Sequence, residues 1–167
     1  MSAEDLPKPR LTRAEFARYV DYSASAHSWS HWAKRIYSAA QTLFANENPS
    51  LWFGAAVLGH QAIEMCLKAI LIGQGHRVVK GDVWGHDLLA LMKQVQDSGI
   101  KLPPEFEEDF RVFNSFFNEL RYPTALNEVS GFGQEEGERL RRILWVLGPF
   151  ADAADKELSA TQGDSNK

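Results

Sequence analysis

The feature that most constrains this chain is a row of aromatic residues in its second half. Phe106, Phe110, Phe113 and Phe117, followed by Leu120, are separated by 4, 3, 4 and 3 residues. That interval places all five on one side of an α-helix and would scatter them over both faces of a strand. Pro103-Pro104 opens the segment and Pro123 closes it, because the residue before a proline avoids the α region. The row therefore predicts a long helix facing a core, not a base-stacking platform.

The other segments supply helices for it to pack against. Thr12-Arg13-Ala14-Glu15 is a capping box, and the helix it starts is expected to end or bend around Ser23 to Ser30, where serines compete for the backbone. A second helix carries Trp32, Ile36, Ala39 or Ala40, and Leu43 as its apolar face and stops at Asn46-Glu47-Asn48. Pro49 suits the first turn of a third helix, which runs to about Ile72 and is closed by Gly73 and Gly75. A short helix from about Asp87 to Gly99 buries Leu88, Met92 and Val95. The last helix aligns Leu140, Leu144, Leu147, Ala151, Ala154 and Leu158, with a kink expected at Gly148-Pro149. No segment alternates with period 2. The expected fold class is all-α, an antiparallel up-and-down bundle of five to six helices.

A chain of 167 residues suits one domain. Residues 1–11 and 159–167 are polar and aperiodic and read as flexible ends, leaving 12–158 as a single helical domain. Eighteen Lys+Arg against 22 Asp+Glu give a net charge of −4, the wrong sign for gripping nucleic acid through the overall field. DNA is not an expected partner. Cys66 is the one cysteine, which excludes an internal disulfide and a multi-cysteine zinc site. His60, Gln61, Glu64 and Lys68 interrupt the longest apolar stretch, against a membrane span. A cytoplasmic protein is the expectation.

Three stretches in order carry a family likeness: Gln61-Ala62-Ile63-Glu64-Met65-Cys66-Leu67-Lys68-Ala69, then Gly85-His86-Asp87-Leu88, then Glu119-Leu120-Arg121-Tyr122-Pro123. Over roughly Ser30 to Leu158 the chain resembles the HEPN family (higher eukaryotes and prokaryotes nucleotide-binding domain). The resemblance implies a helical bundle, commonly a homodimer, found in toxin–antitoxin, defence and RNA-processing systems. Many members are metal-independent endoribonucleases with an Arg followed after four to six residues by a His. Others lack the pair and act as binding or adaptor domains, often beside a nucleotidyltransferase, here a separate chain.

Cutting RNA needs a proton taken from the ribose 2′-OH, one given to the leaving oxygen, and a cation against the phosphorus oxygens. Arg121 suits the last role, since a guanidinium forks onto two phosphate oxygens; alternatively it complements a helix C-terminus. The family's histidine falls at Leu126, Asn127 or Glu128, and none is histidine. Glu128 could stand in as a base, but an exposed carboxylate in general has a pKa about two units too low to be efficient at neutral pH. His86 is the remaining proton carrier by residue type, unless His86-Asp87 only caps its helix. Asn118, one turn before Arg121, and Tyr122 are candidate ligand contacts. Glu64 and Lys68 stand i, i+4, either as a half-exposed helical ion pair or with Glu64 turned to a polar groove that orients Arg121.

His27 and His31 share that spacing, but with no third ligand they are not expected to hold a metal. No cofactor is expected. Arg139, Arg141 and Arg142 read as a solvated face rather than an RNA track. The resulting expectation is a HEPN-like domain that recognises a nucleotide, RNA or a partner protein such as an antitoxin, near Arg121, Glu64, Lys68 and His86, without cutting. The alternative is an endoribonuclease toxin using Arg121 with His86 or Glu128. A homodimer is expected because tryptophans on a thin bundle leave an apolar stripe to cover.

Overall fold

The structure is a computed structural model that describes residues 26–76, 85–120 and 133–164, with the side chains of 116–120 and 154–164 outside the description. Five helices make up these residues: α1 (Ala26–Phe44), α2 (Pro49–Gly73), α3 (Leu88–Asp97), α4 (Phe106–Leu120) and α5 (Gln134–Asp164). Among the described residues there is no strand, so the all-α bundle is the architecture. The capping box at Thr12 and the expected first helix lie outside the described residues.

Local chemistry explains the boundaries. Asn48 caps α2 by accepting from the backbone N–H of Ser50, and Pro49 occupies the first turn as expected. At the other end Gly75 takes φ of 90°, and the His76 N–H reaches back to the Leu71 carbonyl. This left-handed stop is why the Gly73-Gln74-Gly75 segment terminates the helix. Asp87 caps α3 by accepting from the N–H groups of Leu89 and Ala90. Ser28 and Ser30 lie within α1, and the end of the helix expected from Thr12 falls outside the described residues. α5 runs without interruption across Pro149 and on to Asp164.

α2 is the central helix and packs against each of the other four. It is long and apolar enough to cross a membrane by length and composition, but most of that stretch is buried inside the bundle, as for a core helix. α1 returns antiparallel to it through the turn after Phe44. α5 runs antiparallel to α1, since Gln41 meets the Gly137 carbonyl near one end and Ser30 meets Asp152 near the other. Phe106, Phe110 and Phe113 are wholly buried, as their spacing predicts; the side chains of Phe117 and Leu120 lie outside the described residues. α4 approaches α2 closely at Gly59, where an added Cβ would lie 2.8 Å from the Phe113 ring.

One sequence expectation holds only in part: of the apolar face expected for α1, Ala40 is buried and Leu43 packs against the core, but Trp32 is exposed. The covered side of α1 consists of Ala26, Ser30, Ala33, Ala40 and Phe44. Trp32 and Ala39 are exposed, while Ile36 and Leu43 are half-buried. The bundle therefore covers the small-residue stripe of α1 and leaves its larger apolar row at the margin. Alanines there let α1 lie close to α2 and α5, which outweighs the greater area of the tryptophan.

Candidate functional site

Three polar residues stand one turn apart on the inward side of α2: His60, Glu64 and Lys68, all buried. Their spacing of four residues aligns them along one face, and the core around them is otherwise apolar. Burying such groups is costly unless each finds a partner, so the partners define the site.

The Glu64 carboxylate has two. One oxygen accepts from the Lys68 ammonium, and the other accepts from Nδ1 of His86 at 3.0 Å. Lys68 is only 4% exposed, and its ammonium also lies 5.5 Å from the ring centroid of Trp29 on α1. The pair is thus buried, not the half-exposed surface bridge that the i, i+4 spacing alone allows. His86 stands just before the cap of α3, and its side chain is 51% exposed. A carboxylate only accepts, so at this contact the proton is carried by Nδ1 of His86.

His60, which sequence reasoning noted only as an interruption of an apolar stretch, is the fourth member. Its Nε2 lies 2.9 Å from the His86 carbonyl and donates to it, while its Nδ1 is 3.9 Å from Glu64. Burial pushes its pKa from 6.5 down to about 4; Glu64, the His86 carbonyl and Asn114 pull it upward, and His86 adds to the lowering. At neutral pH the ring is uncharged. The register His60–Glu64–Lys68 was the available signal, a polar line at i, i+4 and i+8 through an apolar helix.

α4 fixes the mouth of this cluster. Asn114 accepts from the Leu88 N–H at 2.9 Å and donates to the Asp87 carboxylate at 2.8 Å, tying the start of α3 to α4. Asp87 therefore caps, as one reading of His86-Asp87 held, and His86 is also held by Glu64. The two readings are compatible.

The other predicted residues fall as follows. Arg121, Tyr122 and Glu128, with Leu126 and Asn127, lie outside the described residues, and Asn118 belongs to α4 with its side chain undescribed. Lys68 is placed behind Glu64, away from solvent. Gln61 is exposed and does not join the cluster. Among the described residues no group of three or more His, Cys, Asp or Glu is arranged to hold a metal ion. His27 and His31 are exposed and stack with ring centroids 6.1 Å apart. Burial pushes the Cys66 thiol up to about 12, which removes it as a nucleophile at neutral pH.

A second buried carboxylate lies between α4 and α5. Asp109 accepts from Arg139 at 2.9 Å and from Arg142 at 2.8 and 2.6 Å. Two of the three clustered arginines thus brace the bundle, while Arg141 pairs with Glu138 on the surface.

Comparison with known proteins adds one match. The family model described as the HEPN domain matches residues 26–144. No curated protein and no solved structure matches the chain.

Proposed function

The chain belongs to the HEPN domain family, and from that premise we propose that it is a binding module whose ligand contacts gather at the junction of α2, α3 and α4. The family is nucleotide-binding or RNase-like in general. The observation that carries the reading is the buried Glu64 carboxylate, held by Lys68 from behind and pointing a half-exposed imidazole outward. A core has no need of such a group, since an apolar side chain there is as stable or more so. A carboxylate that orients a histidine at the surface suits recognition of a ligand hydroxyl or a phosphate oxygen.

Arg121 follows α4 directly in sequence and is proposed as the phosphate contact, with Asn118 and Tyr122 beside it. The end of α4 is roughly 9 Å along the helix from Asn114, a span that a nucleotide bridges. The proposed ligand is a nucleotide or an RNA phosphate, and a partner chain such as an antitoxin or a nucleotidyltransferase is a further proposed associate. The missing histidine after Arg121 favours binding without cleavage.

The test is mixed RNA with the purified protein in EDTA, together with melting temperatures in the presence of nucleotides. The expected result is intact RNA, a raised melting temperature, and loss of the rise in Arg121→Ala and His86→Ala. Cleavage that Arg121→Ala abolishes would replace this reading with the nuclease one.

One observation favours that second reading. His86 with Nδ1–H on a carboxylate has the geometry of an oriented general base, its Nε2 being the proton acceptor. It predicts 2′,3′-cyclic phosphate ends on the fragments and loss of cleavage in His86→Gln, with Glu128 as the other candidate proton carrier.

A further inference from the structure

The outward side of α5 carries an open cleft of about 440 Å³, lined by Glu138, Arg141, Arg142, Trp145 and Val146. That volume falls in the range of about 300–1,000 Å³ in which small ligands bind. The five residues stand at intervals of three and four, so they share the strip of helix turned away from the buried Leu140, Ile143, Leu144 and Leu147. Trp145 is 82% exposed, the most open large apolar side chain among the described residues. An indole in water gains from being covered by another flat apolar surface.

The guanidiniums beside it keep donors in reserve. Arg142 commits Nη2 to both oxygens of Asp109, at 2.8 and 2.6 Å. That contact fixes the group, while the side chain stays 49% exposed and its Nε and Nη1 find no acceptor among the described residues. On Arg141, Nε and Nη2 both go to one oxygen of Glu138, which leaves Nη1. Arg139 differs: it is 24% exposed and belongs to the brace with Asp109 and Glu135. The cleft lining thus holds two guanidiniums to one carboxylate, a surplus of one positive charge.

We infer that this cleft binds a small, flat aromatic acid as its monoanion, the ring against Trp145 and Val146 and the carboxylate accepting from Arg141 and Arg142. A guanidinium already oriented by Asp109 loses little freedom when it takes an anion. One surplus charge matches one carboxylate. A polyanion would also meet Glu138, and Glu135 one turn earlier, both exposed, so a nucleic acid strand does not fit this side of α5. The inference is independent of the ligand proposed at the polar cluster, to which α5 contributes none of the described residues.

Calorimetric titration of the full chain with naphthoate, a flat ring bearing one carboxylate, tests it. The expected Kd is about 1 mM or below. Naphthamide has the same ring without the charge, and cyclohexanecarboxylate the same charge without the flat ring; each is expected to bind about tenfold more weakly. Trp145→Leu keeps apolar bulk but no ring and is expected to weaken naphthoate about tenfold. Glu138→Gln frees the donors of Arg141 and removes a like charge, and is expected to tighten binding about threefold. Both positions are exposed, so the circular dichroism of the variants is expected to match the wild type. Trp32→Leu, on α1, is expected to leave the affinity unchanged. Failure of naphthoate to bind would overturn the inference. So would equal affinity for naphthamide, binding that Trp145→Leu and Glu138→Gln leave unaltered, or a loss in Trp32→Leu as large as that in Trp145→Leu.

Discussion

Two buried carboxylates, Glu64 on α2 and Asp109 on α4, meet opposite kinds of partner. Asp109 is 1% exposed and answered by two guanidiniums, from Arg139 and Arg142 on α5, which cannot deprotonate at any physiological pH. Its neighbourhood is permanently charged and joins two helices. Glu64 is answered by one ammonium on its own helix and by an imidazole from the start of α3 that reaches solvent. The first arrangement is a brace. The second holds a group that can exchange a proton or a ligand, and this contrast separates scaffold from site more clearly than burial does.

Removing the carboxylates tests the contrast most directly. Glu64→Gln leaves the Lys68 ammonium buried without its counterion and is expected to cost about 3–5 kcal/mol in denaturant unfolding. The paired change Glu64→Leu with Lys68→Met is expected to recover most of that stability while the nucleotide-induced rise in melting temperature stays lost. Recovery of both would mean that the cluster has no binding role.

Acid comes next. The unfolded chain protonates His60 near 6.5 and the folded chain only near about 4, so the unfolded state binds more protons between those values. Stability is expected to fall by about 3 kcal/mol as pH drops through that window, and His60→Gln should flatten this part of the profile. An unchanged slope in the variant would remove His60 from the account.

Asp109→Asn is expected to cost less, about 1–2 kcal/mol, because Arg139 and Arg142 reach water and are not stranded when the charge is removed. A loss larger than that of Glu64→Gln would reverse the comparison. Smallest of all, Glu138→Gln breaks the fully exposed pair with Arg141 and is expected to leave the melting temperature unchanged.

Much of the fold was legible because its signals are local. Asn48, Pro49, Gly75 and Asp87 act on backbone groups a few residues away, so α2 and the start of α3 could be placed from the chain alone. The phenylalanine row named the buried side of α4 because it has no rival stripe. α1 has two apolar stripes, one of alanines and one with Trp32 and Ile36, and local reasoning chose the larger. For the site, the Glu64–Lys68 spacing and His86 stood out, but His60 passed as an interruption and no sequence signal singled out Asp109.

Helix limits, the periodicity of their apolar faces and the family likeness were thus properties of the chain read in order, since hydrogen bonds and side-chain rows within a helix link residues three or four apart. Tertiary packing alone decided which stripe of α1 turns inward, that Glu64 meets a histidine 22 positions further along, and that Asp109 meets two arginines of α5. Burial and ionic pairing depend on what lies across the gap between helices, and that neighbour is set by how the whole bundle closes.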